Sequence, residues 1–152
     1  GPGDNFDLSS SHVITALIRK FHDARVAAES SGDPNRVEVW GTGSAFREFL
    51  HVDDLAEACL HLMDVYNDAG WVNVGTGEDV TIKELAETVA RVVGFEGELV
   101  WDTTKPDGTP RKLLDVSKMT ALGWRATTPL ERGIEQVYQD FKSALKHESL
   151  RG

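Results

Sequence analysis

Several side chains here could hold an anion or move a proton. Arg47 follows the turn Gly41-Thr42-Gly43-Ser44. A guanidinium fork matches phosphate oxygens in bidentate fashion, although a lone arginine more often forms a surface salt bridge, here to Glu48 or an aspartate. Lys20, Arg111 and Lys112 are further cations that could converge with it on one anion. Trp40 stands beside the glycines, where an indole either stacks on a purine or sugar face or packs as a core residue. Asp107, in the run Lys105-Pro106-Asp107-Gly108-Thr109-Pro110-Arg111-Lys112, could accept from a purine N–H or a ribose hydroxyl, or form an Asx turn.

His12 falls at the start of a helix, off the Val13, Ile14, Leu17 stripe. An imidazole at that place suits proton exchange with a ligand; a solvated histidine is the plainer reading. His22 and His61 lie on amphipathic helices and read as structural, and His51 as a packed, hydrogen-bonded group. Asp53-Asp54 reads as a helix cap rather than as paired catalytic carboxylates. Cys59 lies on an apolar helical stripe and reads as core. No His, Cys, Asp and Glu set has metal-ligand spacing, so no metal is expected.

The elements that must position these groups follow from periodicity. Residues 1–11 read as a loop, with Ser10 or Ser11 capping a helix that carries Val13, Ile14, Leu17, Ile18 and Phe21 to about Ala28. A polar turn, 30–35, leads to a strand, 37–40, and then to the glycine turn. Residues 47–52 read as extended. Asp53 or Asp54 caps a helix with Leu55, Ala58, Cys59, Leu62, Met63 and Tyr66 inward, and 71–74 reads as a short strand. Thr81-Ile82-Lys83-Glu84 is a capping box opening a helix with Ile82, Leu85, Ala86, Val89 and Val93 inward. A strand at 98–101, a loop at 105–111 and a short helix at 117–122 follow. Thr128-Pro129-Leu130-Glu131 reads as a second capping box, opening a helix that buries Leu130, Ile134, Val137, Tyr138 and Phe141 and frays over 147–152.

One domain of 152 residues is long enough for a core. Helices dominate and strands are few and short, which gives a helix-rich α/β class of α+β-like character. The net charge of −9 repels polyanions, so nucleic acid is excluded as a partner. A small anion is still accessible if cations cluster. No apolar run approaches the roughly 20 residues needed to span a bilayer. The single cysteine fits a reducing compartment. Neither Gly41-x-Gly43 nor Gly75-x-Gly77 has the third glycine and acidic follow-up of a dinucleotide fingerprint.

Together, Gly1-Pro2-Gly3-Asp4-Asn5-Phe6, Ser11-His12-Val13-Ile14, Val39-Trp40-Gly41-x-Gly43, Arg47-Glu48-Phe49-Leu50-His51-Val52-Asp53-Asp54, Asn73-Val74-Gly75-Thr76-Gly77 and the Lys105–Asp115 run resemble the extended short-chain dehydrogenase/reductase family of sugar-nucleotide enzymes. Within it they are most similar to the GDP-L-fucose synthase branch. The Glu-Phe-x-His-Val-Asp-Asp and Asn-x-Gly pieces are common to many relatives; the Lys-Pro-Asp-Gly-Thr-Pro-Arg-Lys run and the Ser-His-Val-Ile helix start are more diagnostic. The resemblance spans essentially the whole chain, 1–152, as the substrate-binding back half of such an enzyme, and implies a Rossmann half that is absent here. It favours truncation of a longer protein over a cloning remnant at Gly1-Pro2, inactivity of the piece alone, and exposed apolar surface where the other half would sit.

The resemblance implies an NADPH-dependent epimerisation at C3 and C5 and reduction at C4 of a GDP-4-keto-6-deoxy-mannose. NADPH would be bound mainly by the other half, with contact here at His12 at most. His12 matches the family's acid/base histidine. Lys20, Trp40, Arg47, Asp107 and Lys112 match substrate contacts, with Arg47 and Lys112 on the diphosphate. Trp40, Val13, Leu17 and Val39 would line the nucleotide pocket. The family implies a cytoplasmic, homodimeric parent with a GDP-sugar as its partner and no membrane or nucleic acid. Two alternatives stay open: the substrate domain of another NDP-sugar epimerase or dehydratase, and a non-catalytic nucleotide-binding module.

Overall fold

The computed structural model describes residues 1, 3–32 and 36–149. In chain order the elements are α1 Val13–Ser31, β1 Arg36–Trp40, β2 Phe46–Arg47, α2 Val52–Val65, β3 Val80–Thr81, α3 Ile82–Val93, β4 Glu98–Asp102, β5 Arg111–Lys112, α4 Ser117–Ala121 and α5 Leu130–Ser149. The class is the expected helix-rich α/β one. Strands β1 and β4 pair in parallel, from Arg36↔Glu98 to Trp40↔Asp102. A second small sheet has the order β3-β2-β5, antiparallel on one side and parallel on the other.

The core forms where three amphipathic helices meet β1. Leu17, Ile18 and Phe21 of α1, Leu85, Ala86, Val89 and Val93 of α3, and Ile134, Val137, Tyr138 and Phe141 of α5 pack together with Val37 and Val39. Helix α3 contacts both α1 and α5. Each such side chain contributes about 1.5–3 kcal/mol of burial.

Local signals set most helix ends. Thr81 Oγ1 accepts the Glu84 N–H at 3.0 Å and Glu84 Oε2 accepts the Thr81 N–H at 2.8 Å, the predicted capping box. Helix α1 runs past Ala28 to Ser31, where Gly32, at φ 76°, donates its N–H to Ala28 O. The predicted turn therefore starts later, and its residues 33–35 lie outside the described ones, as do Pro2 and 150–152. The end of α5, predicted to fray from 147, is helical to Ser149.

Several expectations are corrected. The cap of α1 is His12, not Ser10 or Ser11, and its side chain makes no capping bond. The cap of α2 is His51, whose Nδ1 accepts the Asp53 N–H at 3.3 Å. Asp54, only 3% exposed, instead reaches the start of α5, where Oδ2 accepts the Thr128 N–H at 2.9 Å and Oδ1 the Thr127 hydroxyl at 3.2 Å. The second capping box is thereby displaced: its Thr128 N–H goes to Asp54, and the Glu131 carboxylate goes to Arg91 Nε at 3.0 Å.

Another correction concerns α2, whose buried residues are Asp54 and Ala58 alone. Leu55, Cys59 and Met63, predicted inward, are exposed, Met63 by 81%. The small cluster of Ala58 with Met119 and Trp124 covers only one side of the helix. The predicted strand 71–74 pairs with nothing among the described residues, and Trp71 is 96% exposed.

Burial raises the Asp54 carboxyl, but hydrogen bonds from Thr128 and Thr127 outweigh it and leave it below the ordinary carboxylate range. A depressed folded-state value gives stability that is present above the unfolded value and lost as pH falls through the folded one. Asp54→Asn is thus expected to cost about 1–3 kcal/mol at neutral pH. In urea melts, its deficit against wild type should shrink below about pH 4; a deficit constant across pH would contradict this.

Candidate functional site

Strand β1 sorts its side chains by the two-residue period of a strand. Val37 and Val39 enter the core at 4% and 5% exposure, while Trp40 points the other way at 63%. The indole therefore stands at the surface, with Lys105 Nζ 5.5 Å from its ring centroid. Val39, predicted to line the same pocket, lies on the opposite face. Leu17 is also in the core at 3% exposure. Both support β1 from beneath. Val13 is half-buried against the same core. Lys20, one turn along α1, donates from Nζ to Glu38 O at 2.9 Å, which brings a cation beside β1.

Strands β2 and β5 bring the other cations together. Arg47 and Lys112 are register partners, and paired positions share a sheet face. Strand spacing puts their backbones about 4.8 Å apart. Arg47 donates from Nη1 to Phe46 O at 2.6 Å and from Nη2 to Asp107 O at 3.5 Å. Both acceptors are carbonyls; among the described residues neither Arg47 nor Lys112 is ion-paired. The preceding pair, Phe46 and Arg111, behaves differently. Arg111 lies over the Phe46 ring at 5.5 Å and makes a bidentate pair with Asp79, at 2.6 and 3.0 Å. Its charge is compensated, which leaves Lys112 beside Arg47, and Lys105 over the Trp40 ring, as the cations of that loop without an ion pair among the described residues.

Asp107 links the Trp40 end to the Arg47 end. Its Oδ1 accepts the Thr42 N–H at 2.7 Å and its Oδ2 the Thr42 hydroxyl at 2.7 Å. The Thr42 hydroxyl bond and then the Thr42 N–H bond hold its carboxyl below the usual range. Gly41, at φ 85°, must be glycine, since a Cβ there would collide with this carboxylate. Asp107, which the sequence offers as a ligand contact or an Asx turn, here clasps the 105–112 loop onto the glycine turn.

His12 sits in an adjoining cleft. A cavity of about 380 Å³ is lined by His12, Val13, His51, Phe49, Thr128 and Pro129 among others. A second, of about 330 Å³, is lined by Arg47, Glu78 and Asp79 and shares Phe49, Thr128, Pro129 and Leu130 with the first. The clefts therefore have a common wall, which the Asp54 bonds to Thr127 and Thr128 hold in place. His12 is exposed, and its carbonyl accepts the Ala16 N–H at 2.9 Å. Its ring has no hydrogen-bond partner among the described residues. The loop before it is self-bonded, with Asp7 accepting the Ser9 N–H at 3.0 Å and the Ser10 hydroxyl at 3.0 Å, and the Phe6 ring lies tilted against Phe141 at 4.6 Å between centroids.

A hollow larger than either cleft, about 610 Å³, lies elsewhere, along α3 and α5. It is walled by charges already paired with one another, Arg91 with Glu131 and Arg132 with Glu135, and includes none of the predicted residues.

A family model for "NAD dependent epimerase/dehydratase family" matches residues 1–75, which include His12, Lys20, Trp40 and Arg47. A protein of Arabidopsis thaliana named putative GDP-L-fucose synthase 2 is 57% identical over 139 residues, 91% of this chain and 41% of that protein. Over those first 75 residues the chain is similar to the NAD-dependent epimerase/dehydratase family. The GDP-L-fucose synthase of Escherichia coli K12 is 50% identical over 151 residues, 93% of this chain and 45% of that one. A GDP-L-fucose synthetase structure from Naegleria fowleri, bound to NADP, superposes with a TM-score of 0.84 at 29% identity, covering 96% of this chain and 44% of that one. The chain thus spans less than half the length of these proteins.

The plainer reading of Arg47, a salt bridge to Glu48 or an aspartate, is not what the structure has: the Glu48 carboxylate bonds elsewhere. Successive residues of an extended segment face opposite sides, so this separation could have been read from the sequence. The Asp54 bond to α5 could not, because nothing local connects positions so far apart in the chain.

If Asp107 clasps the glycine turn, Asp107→Ala should speed amide hydrogen exchange at Thr42 by about tenfold or more while Val39 in the core exchanges as before. Unchanged exchange at Thr42 would show that the clasp does not hold the turn.

Proposed function

We propose that this chain is the sugar-nucleotide-binding portion of a GDP-L-fucose synthase. Arg47 and Lys112 cradle the diphosphate and Trp40 stacks on the base. The observation that carries this reading is the pairing of two uncompensated cations on one sheet face, beside an exposed indole, in a chain of net charge −9. Cations kept free of carboxylates at such a place have a strong electrostatic claim on an anion.

His12 is the acid/base of the proposal. A C4 ketone acidifies the C3 and C5 protons of the sugar; a base removes each, and protonation from the opposite face inverts the centre. The His12 backbone is fixed by α1 while its ring stays free in a cleft that shares a wall with the Arg47 cleft. That arrangement lets the ring exchange a proton with a sugar whose diphosphate is held next door.

NADPH is the reductant this activity requires, supplying hydride to C4. The described residues do not fit it. The approach to Gly41 is filled by the Asp107 carboxylate and that to Gly43 by the Trp101 ring. No pyrophosphate can lie on this turn, which supports the reading that the cofactor is held mainly outside these residues. The exposed apolar side of α2, with Leu55, Leu60 and Met63, is a surface such a remainder could cover. The single cysteine supports a cytoplasmic setting, and the family resemblance supports a homodimeric parent.

Titration calorimetry on the intact polypeptide should show GDP bound in preference to UDP and dTDP, with Arg47→Ala weakening GDP by about tenfold or more. Preference for UDP or dTDP would move the chain to another NDP-sugar enzyme, and no binding would reject the site. His12→Gln should leave GDP affinity nearly unchanged while suppressing solvent-deuterium uptake at C3 and C5. Uptake at the wild-type rate would remove His12 from the chemistry.

A further inference from the structure

The strands that carry Arg47 and Lys112 are short. β2 meets β3 at Phe46↔Thr81 and Arg47↔Val80, and β5 at Phe46↔Arg111 and Arg47↔Lys112, and no rung follows on either side. Two-residue ladders leave the spacing of the cations weakly defined. The next residue, Glu48, supplies what the ladders lack. Its Oε1 accepts the Gly77 N–H at 2.7 Å and the Thr76 hydroxyl at 3.3 Å, and its Oε2 accepts the Leu114 N–H at 2.9 Å. Gly77 precedes β3 and Leu114 follows β5, so one carboxylate ties both neighbours of β2 just where their pairing ends.

The surroundings are shaped to this carboxylate. Gly75 is buried, and a Cβ there would collide with Glu48 Oε1. Thr76 Oγ1 also donates to Glu78 O at 2.9 Å and accepts the Glu78 N–H at 3.2 Å, closing the turn that presents Gly77. The charge matters as much as the geometry. Glu48 is the nearest carboxylate to Arg47 along the chain, yet its negative charge is taken up by backbone donors on the far side of the strand. Arg47 is left with carbonyl partners only.

We infer that Glu48 is a positioning residue that fixes Lys112 against Arg47, so that the pair selects a diphosphate over a single phosphate. This rests on the reading of the pair as the diphosphate cradle. Two phosphates need both cations at a set spacing, whereas one phosphate can be held by Arg47 alone through its fork. Loosening β5 from β2 therefore costs the second phosphate and spares the first.

The test is calorimetry with GDP and GMP on the intact polypeptide. Glu48→Gln keeps the shape but turns an amide N–H₂ toward backbone donors. It should weaken GDP about tenfold and GMP by less than about twofold. Gly75→Ala, which keeps the charge but crowds the carboxylate, should do the same. If either variant folds cooperatively and keeps the wild-type ratio of GDP to GMP affinity while Arg47→Ala lowers GDP affinity, the role of Glu48 is overturned and the cradle stands. If wild type binds no GDP, or Arg47→Ala leaves it unchanged, the cradle falls and the inference with it. Should neither variant fold, amide exchange on wild type decides: GDP, but not GMP, should slow both Gly77 and Leu114, and equal slowing by the two nucleotides would overturn the proposal.

Discussion

The governing constraint is electrostatic. With 25 acidic and 16 basic residues, this chain can hold an anion only where carboxylates are kept off its cations. Several basic groups are neutralised: Arg19 by Asp23, Arg25 by Glu29, Arg36 by Glu98, Arg91 by Glu131, and Arg111 by Asp79. Around Arg47 and Lys112 the acids are turned elsewhere. Asp107 bonds the N–H and hydroxyl of Thr42, and Glu48 bonds the N–H groups of Gly77 and Leu114. A carboxylate satisfied by backbone donors keeps its charge but is geometrically unavailable to a neighbouring guanidinium. The same bonds that close the loops therefore leave the cations open.

The fold explains why this occurs at one end of the molecule. The α1, α3 and α5 core grips β1 through Val37 and Val39, and strand alternation then forces Trp40 outward. The parallel pairing of β1 with β4 brings Trp40 level with Asp102, from which the 105–112 loop departs. That loop crosses the glycine turn, is clasped there through Asp107, and enters β5 beside β2. Indole, guanidinium and ammonium are thus assembled by one loop running from the large core to the small sheet. On the other side of Arg47, Asp54 fixes the start of α5 and with it the wall shared with the His12 cleft.

Much of this was legible in the sequence because it is local. The Thr81 capping box, the glycine stop at Gly94 and the inward stripes of α3 and α5 follow from periodicity and short-range hydrogen bonding. The candidate site was legible as a set of residue types but not as an arrangement. The family resemblance implies Val39 and Leu17 as pocket residues, while strand alternation and helix phase put their side chains in the core. Asp107 and Asp54 show the limit more clearly. Their partners, Thr42 and Thr127–Thr128, are distant in the chain, so no local rule could show that these carboxylates would be spent on backbone donors. The apolar stripe of α2 misled for a different reason: it is amphipathic by pattern, but its apolar side has no cover among the described residues.

The central claim is that an anion binds between Trp40 and the Arg47–Lys112 pair. A nitrogen-15 NMR titration of the polypeptide with GDP, following the Arg47 Nε–H and Trp40 Nε1–H signals, tests it most directly. The account predicts that both signals move together and saturate at one shared affinity, while Arg91 and Arg132 in the larger groove along α5 stay still. Movement at Arg91 and Arg132 with Arg47 and Trp40 unchanged would contradict it.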